Sequence, residues 1–84
     1  MTKKVIVYTI DPCPYCINAK ALLTRKNIPF EEKKLSRADH KAIMELYEKT
    51  GMRTFPQIFF GEKLIGGFDD MVELERSEGL EKYL

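Results

Sequence analysis

Val5-Ile6-Val7-Tyr8-Thr9, then Asp11-Pro12, then Cys13-Pro14-Tyr15-Cys16 is the stretch whose reading decides the fold. Five consecutive β-branched or aromatic residues have the pattern of a strand covered on both faces. Asp11-Pro12 breaks that run. Pro14 suits the first position of a helix, because the N–H it lacks would be unpaired there and its φ is already helical. Ala19, Leu22, Leu23 and Lys26 follow at i, i+3, i+4 and i+7, with the Lys26 stem able to lie along the same apolar face. Asn27 and Pro29 stop the helix. A strand therefore hands over to a helix, and the chain's only two cysteines stand at the join.

Working outward, residues 30–35 read as a second strand. Ser36-Arg37-Ala38-Asp39 resembles a capping box ahead of an apolar stripe of Ala42, Ile43, Leu46 and Tyr47, and Gly51 is the C-terminal stop. Residues 57–60 and 63–65 are two strands around Gly61-Glu62, a hairpin signal. Gly66-Gly67 ends the second of them. Asp69 or Asp70 then caps a helix carrying Met71, Val72 and Leu74, and Leu80, Tyr83 and Leu84 lie in a last short turn. The order is β-α-β-α-β-β-α. A right-handed crossover makes the first two strands parallel and the hairpin adds an antiparallel pair, giving an α/β fold with a four-stranded mixed sheet flanked by helices.

At 84 residues the chain is one domain, 1–84, with one core. A domain of this size leaves about 40% of its unfolded surface exposed, so a substrate is met in a shallow groove rather than a deep cavity. Lys and Arg number 14 against 13 Asp and Glu, a net charge of +1, which argues against a nucleic-acid footprint. No apolar run approaches the roughly 18 residues that cross a bilayer, which argues against a membrane protein. The apolar part of the start is too short for a secretory signal. Two cysteines in such a chain point to a reducing compartment, the cytoplasm, where a catalytic disulfide is commoner than a lasting one.

Two thiols separated by two residues can close a small disulfide ring and open it again. With Pro14 as the first helical residue, Cys13 occupies the N-cap and its sulfur meets the amides of Tyr15 and Cys16. Hydrogen bonds from those amides, with a smaller contribution from the helix dipole, favour a Cys13 thiolate. Cys16, inside the first turn, is the more buried thiol. In this reading Cys13 attacks a substrate disulfide and Cys16 resolves the mixed disulfide. A structural staple is the poorer reading, because so short a loop barely restricts the unfolded chain. A zinc site needs four ligands, and one chain supplies only Cys13, Cys16 and His40. His40 reads as a surface residue, and Met44 and Met52 as filler.

With the dithiol placed, the whole chain resembles a glutaredoxin of the dithiol C-P-Y-C class, with a thioredoxin-like fold. Three separated motifs carry the resemblance: Tyr8-Thr9 leading to Cys13-Pro14-Tyr15-Cys16, Arg53-Thr54-Phe55-Pro56-Gln57, and Gly66-Gly67-Phe68-Asp69-Asp70. It implies a thiol-disulfide oxidoreductase with no tightly bound cofactor and glutathione as reductant or co-substrate. It also implies a cis Pro56 that turns the preceding backbone toward the active sulfur, with Thr54 shaping the turn. Phe55 then pairs through its backbone with the cysteinyl part of glutathione. Gly67, Phe68, Asp69 and Asp70 receive the γ-glutamyl end, Asp70 more than Asp69 taking its ammonium, and Arg53 faces the glycine carboxylate. Tyr15, Phe55 and Phe68 form an apolar collar around Cys13.

The chain departs from the family at Ile10, where members commonly carry Lys. Losing that cation removes one handle on glutathione, and Asp11 beside it opposes a thiolate. The partners implied are glutathione and protein disulfides, or a thioredoxin-reductase-like flavoenzyme in place of glutathione. Two alternatives go with the resemblance: a redoxin serving ribonucleotide reductase, and a glutathione-dependent iron-sulfur cluster binder.

Overall fold

The computed structural model describes residues 3–84. β1 (Val5–Ile10) runs one residue further than the apolar run suggested, and α1 (Pro14–Arg25) begins at the proline. β2 (Glu31–Leu35), α2 (His40–Thr50), β3 (Gln57–Phe60), β4 (Lys63–Gly66) and α3 (Phe68–Ser77) follow, and a 3₁₀ turn, Leu80–Tyr83, closes the chain. The sheet order is β2-β1-β3-β4. β1 and β2 are parallel, β1 and β3 antiparallel, and β3 and β4 antiparallel with a shift of register between Ile58 and Phe59. The mixed α/β sheet is the one the element order implies.

One face of the sheet makes the core. Val5, Val7, Ile58 and Phe60 meet Ala19 and Leu23 of α1, Met71 of α3 and Leu80, all buried. The other face is less covered than a strand buried on both sides would be: Ile6 and Tyr8 are only half-buried. Tyr8 packs edge-on to Phe59 at 5.8 Å, and Lys49 of α2 stands 5.3 Å over the Phe59 ring. β2 is an exposed edge whose Glu and Lys side chains discourage pairing with another chain. Lys26, the C-cap of α1, joins Glu75 at 2.6 Å and Glu81 at 3.0 Å, tying the end of α1 to α3 and the closing turn.

Two helix starts differ from the sequence reading. Ser36 does not cap α2; its Oγ accepts from the Ala38 N–H in a local turn, and Asp39 is the N-cap, accepting from Ala42 N at 3.1 Å. A side chain that can close a turn two residues on competes with the helix for the same backbone. Neither Asp69 nor Asp70 is the N-cap of α3. Gly67 is, and Asp70 at the third helical position accepts the Gly67 N–H at 2.9 Å. Gly51 ends α2 in the left-handed conformation, φ 73°.

Candidate active site

Cys13 is the N-cap of α1, extended at φ −155°, ψ 95°. Its sulfur accepts from the Cys16 N–H at 3.1 Å, so one amide meets it where two were expected. The two cysteines are joined in a disulfide. Cys13 is half-buried and Cys16 is 2% exposed, so only one of the two sulfurs faces a visitor.

Above Cys13 lies a groove of about 540 Å³. Tyr15 comes from α1, Arg53, Thr54, Phe55 and Pro56 from the loop before β3, and Gly67, Phe68, Asp69 and Asp70 from the start of α3. All nine contact residues read from the sequence line this one groove, and Cys16 lies beneath it. Three segments distant in sequence converge because β1 and β3 are neighbours in the sheet and α1 and α3 pack on the same face of it.

The Phe55–Pro56 peptide is cis, and the Phe55 carbonyl oxygen stands 3.6 Å from Cys13 Sγ. The Asp11–Pro12 peptide, just before Cys13, is cis as well. The loop carrying Thr54 and Phe55 is held from below by Gln57. That side chain is 1% exposed, and its Nε2 donates to the carbonyls of Met52 and Thr54 at 3.1 Å each. Tyr15, 57% exposed, lies 6.2 Å from Phe68 ring to ring, and Phe55 is half-buried beside them.

The groove carries charge of both signs. Asp69 and Asp70 are in the first turn of α3, where negative side chains are favourable. Arg53 and Arg37 are the two cations lining it. Arg53 stacks 4.8 Å from the Tyr47 ring. Asp11 does not act on the sulfur as an isolated anion. Its carboxylate pairs with Lys34 Nζ at 2.9 Å, and the same contact holds the Lys34 ammonium above its ordinary pKa.

Sequence reasoning missed three participants. Arg37 lines the groove although it was read only as part of a capping pattern. Met52, taken as filler, lines it too, whereas Met44 is 54% exposed and fills nothing. Gln57, read as the first residue of a strand, is the anchor of the 52–56 loop. Of these only Gln57 carried a signal, a polar residue at the head of an apolar strand. Ile10 is 5% exposed and lies on the groove floor, and His40 is exposed at the start of α2. Among the described residues no cluster of three or more His, Cys, Asp or Glu is placed to hold a metal ion, and no helix is long and apolar enough to cross a membrane.

Comparison with known proteins agrees with this arrangement. A family model described as glutaredoxin matches residues 5–65. Glutaredoxin 3 of Escherichia coli is 40% identical over 80 residues, covering 95% of this chain and 95% of its own length. The solution structure of a glutaredoxin from Brucella melitensis superposes with a TM-score of 0.85 at 43% identity, covering 99% of this chain and 89% of that one. A crystal structure of a buckwheat glutaredoxin–glutathione complex superposes with a TM-score of 0.86 at 32% identity, covering 98% and 76%.

Proposed function

For this chain, which belongs to the glutaredoxin family and is a thiol-disulfide oxidoreductase working through Cys13 and Cys16, we propose that the groove over Cys13 is a glutathione site and that glutathione is the reductant. The observation that carries the reading is a single groove lined by one accessible sulfur, two carboxylates and two guanidinium groups. Glutathione has the matching charges, a zwitterionic γ-glutamyl end and a glycine carboxylate, on either side of its thiol. The buckwheat relative forms a complex with glutathione, which supports the same assignment here.

In this reading the reduced Cys13 thiolate attacks one sulfur of a protein disulfide or a protein–glutathione mixed disulfide. The other sulfur leaves as a thiolate. Cys16 then attacks Cys13 Sγ, expels the bound half as a second thiolate and closes the Cys13–Cys16 ring. Two glutathiones reopen that ring in two exchanges and leave as glutathione disulfide. Phe55, biased to an extended backbone by the proline after it, is the edge along which the cysteinyl part of glutathione lies. Thr54 and Pro56 set that edge, and Tyr15 and Phe68 wall it.

At the start of α3 we assign roles by what is already engaged. The Gly67 N–H is taken by Asp70 and the first intrahelical bond runs from Met71 N–H, so the amides of Phe68, Asp69 and Asp70 are the ones available to the γ-glutamyl carboxylate. Asp69, whose carboxylate makes no hydrogen bond among the described residues, takes the ammonium more readily than Asp70, whose carboxylate is engaged by the Gly67 N–H. An exchange dithiol of this kind works in a reducing compartment, and the cytoplasm is the setting proposed. The test supplies a protein disulfide with glutathione and glutathione reductase, and in parallel with thioredoxin reductase. Turnover that saturates with glutathione is expected; turnover with the flavoenzyme alone would reverse the assignment.

A further inference from the structure

Arg37 stands 24 residues beyond Cys13 in the chain, yet its guanidinium embraces the backbone immediately before that cysteine. Nε donates to the Asp11 carbonyl at 2.7 Å and Nη2 donates to the Pro12 carbonyl at 2.6 Å. A guanidinium has five N–H donors, so three remain. The nearest acid in sequence to those carbonyls, Asp11, is paired with Lys34, and Arg37 joins no salt bridge among the described residues. Its charge is therefore uncompensated, its plane is fixed by two bonds to backbone, and it lines the same groove as Cys13. Ile10, on the floor of that groove, offers no charge.

Resting on the glutathione reading above, we propose that Arg37 determines specificity for the glycine end of glutathione, presenting its remaining N–H groups to the glycine carboxylate while it holds the Asp11–Pro12 backbone. A fork already oriented by two hydrogen bonds loses little freedom on meeting a carboxylate, which a free lysine would not match. The same residue thus couples the position of the nucleophile's loop to the presence of the substrate's far end.

The probe is a pair of reductants, glutathione and its glycine ethyl ester, which differ only in that carboxylate. Wild type is expected to show a KM about fivefold lower for glutathione than for the ester, the size of an exposed guanidinium–carboxylate pair. Arg37→Ala loses that preference, and Arg37→Lys keeps part of it through charge without the fork. A preference that survives undiminished in Arg37→Ala would overturn the proposal and leave the carboxylate to Arg53. So would an equal rise in KM for both reductants, which marks a loop anchor and nothing more. If wild type does not saturate with glutathione at all, the glutathione reading itself falls and this inference with it.

Discussion

Gln57 tests how the substrate-facing loop is held, because its chemistry can be changed with almost no change of shape. The side chain is fully buried, and Nε2 is shared between the Met52 and Thr54 carbonyls at 3.1 Å each. Two neutral hydrogen bonds contribute about 1–3 kcal/mol together. Against them stands Oε1, which is buried and has no partner among the described residues, a desolvation cost of about 1–3 kcal/mol already present in the wild type. Gln57→Leu loses the bonds but relieves that cost, so the net loss is small, up to about 2 kcal/mol. Gln57→Glu is different. It places a second carboxylate oxygen against two carbonyl oxygens in a site closed to water, and an uncompensated buried charge costs about 3–5 kcal/mol.

The sign of the pH dependence follows. Burial and the two facing carbonyls raise the introduced carboxyl above its unfolded-state value, so the folded chain binds more protons than the unfolded one. Stability of Gln57→Glu therefore falls as pH rises through that interval, and its deficit against wild type narrows on acidification. Urea midpoints near pH 7 and near pH 4.5 measure both. At neutrality the order is wild type, then Gln57→Leu, then Gln57→Glu. The KM for glutathione rises in the same order, because Thr54 and Phe55 ride on the loop. A Gln57→Glu midpoint equal to wild type near pH 7, or a gap that does not close in acid, would refute the reasoning.

Cys13→Ser abolishes exchange, whereas Cys16→Ser accumulates a mixed disulfide detectable by mass spectrometry; activity in Cys13→Ser would remove that residue from the chemistry. Gly66→Ala costs about 2–4 kcal/mol, since φ is 120° and the new Cβ would stand 2.8 Å from Asp70 Cγ, pushing aside the carboxylate that accepts the Gly67 N–H. Gly67→Ala, with φ −91° and no neighbour nearer than 3.7 Å, leaves the thermal midpoint close to wild type, and an equal loss in both would discredit the steric argument. The Lys26 hydrogen bond, followed by the Leu80 N–H, holds the Glu75 carboxyl below its ordinary value, and Glu81 is lowered by its own backbone N–H and then by Lys26. Stability from these pairs is present above the ordinary carboxylate pKa and is lost as pH falls through the lower folded-state values. Lys26→Met flattens that acid limb in a thermal-midpoint series, and an unchanged slope would show that the pairs contribute nothing.

What the sequence alone determined were the features that a few neighbouring residues impose on one another. The β-branched run of β1, Pro14 opening α1, Gly51 closing α2 and the hairpin around Gly61 depend on steric preferences and on periods of two or 3.6 residues. Both cysteines were legible for the same reason, since their relative placement is set within a single helical turn, and three motifs marked the groove. Tertiary structure decided which groups the fold brings together across long stretches of chain. Arg37 reaches the carbonyls of Asp11 and Pro12 across 26 and 25 residues, and Lys34 neutralises Asp11 across the parallel pairing of β1 and β2. Asp70 closes on the amide of Gly67, which takes the N-cap that either aspartate could have filled, and Gln57 turns inward to hold a loop while Ile58 and Phe60 face the core. Each is a competition among several polar partners for one donor or acceptor, and only the packed sheet, by fixing which of them lie within about 3 Å, selects the winner.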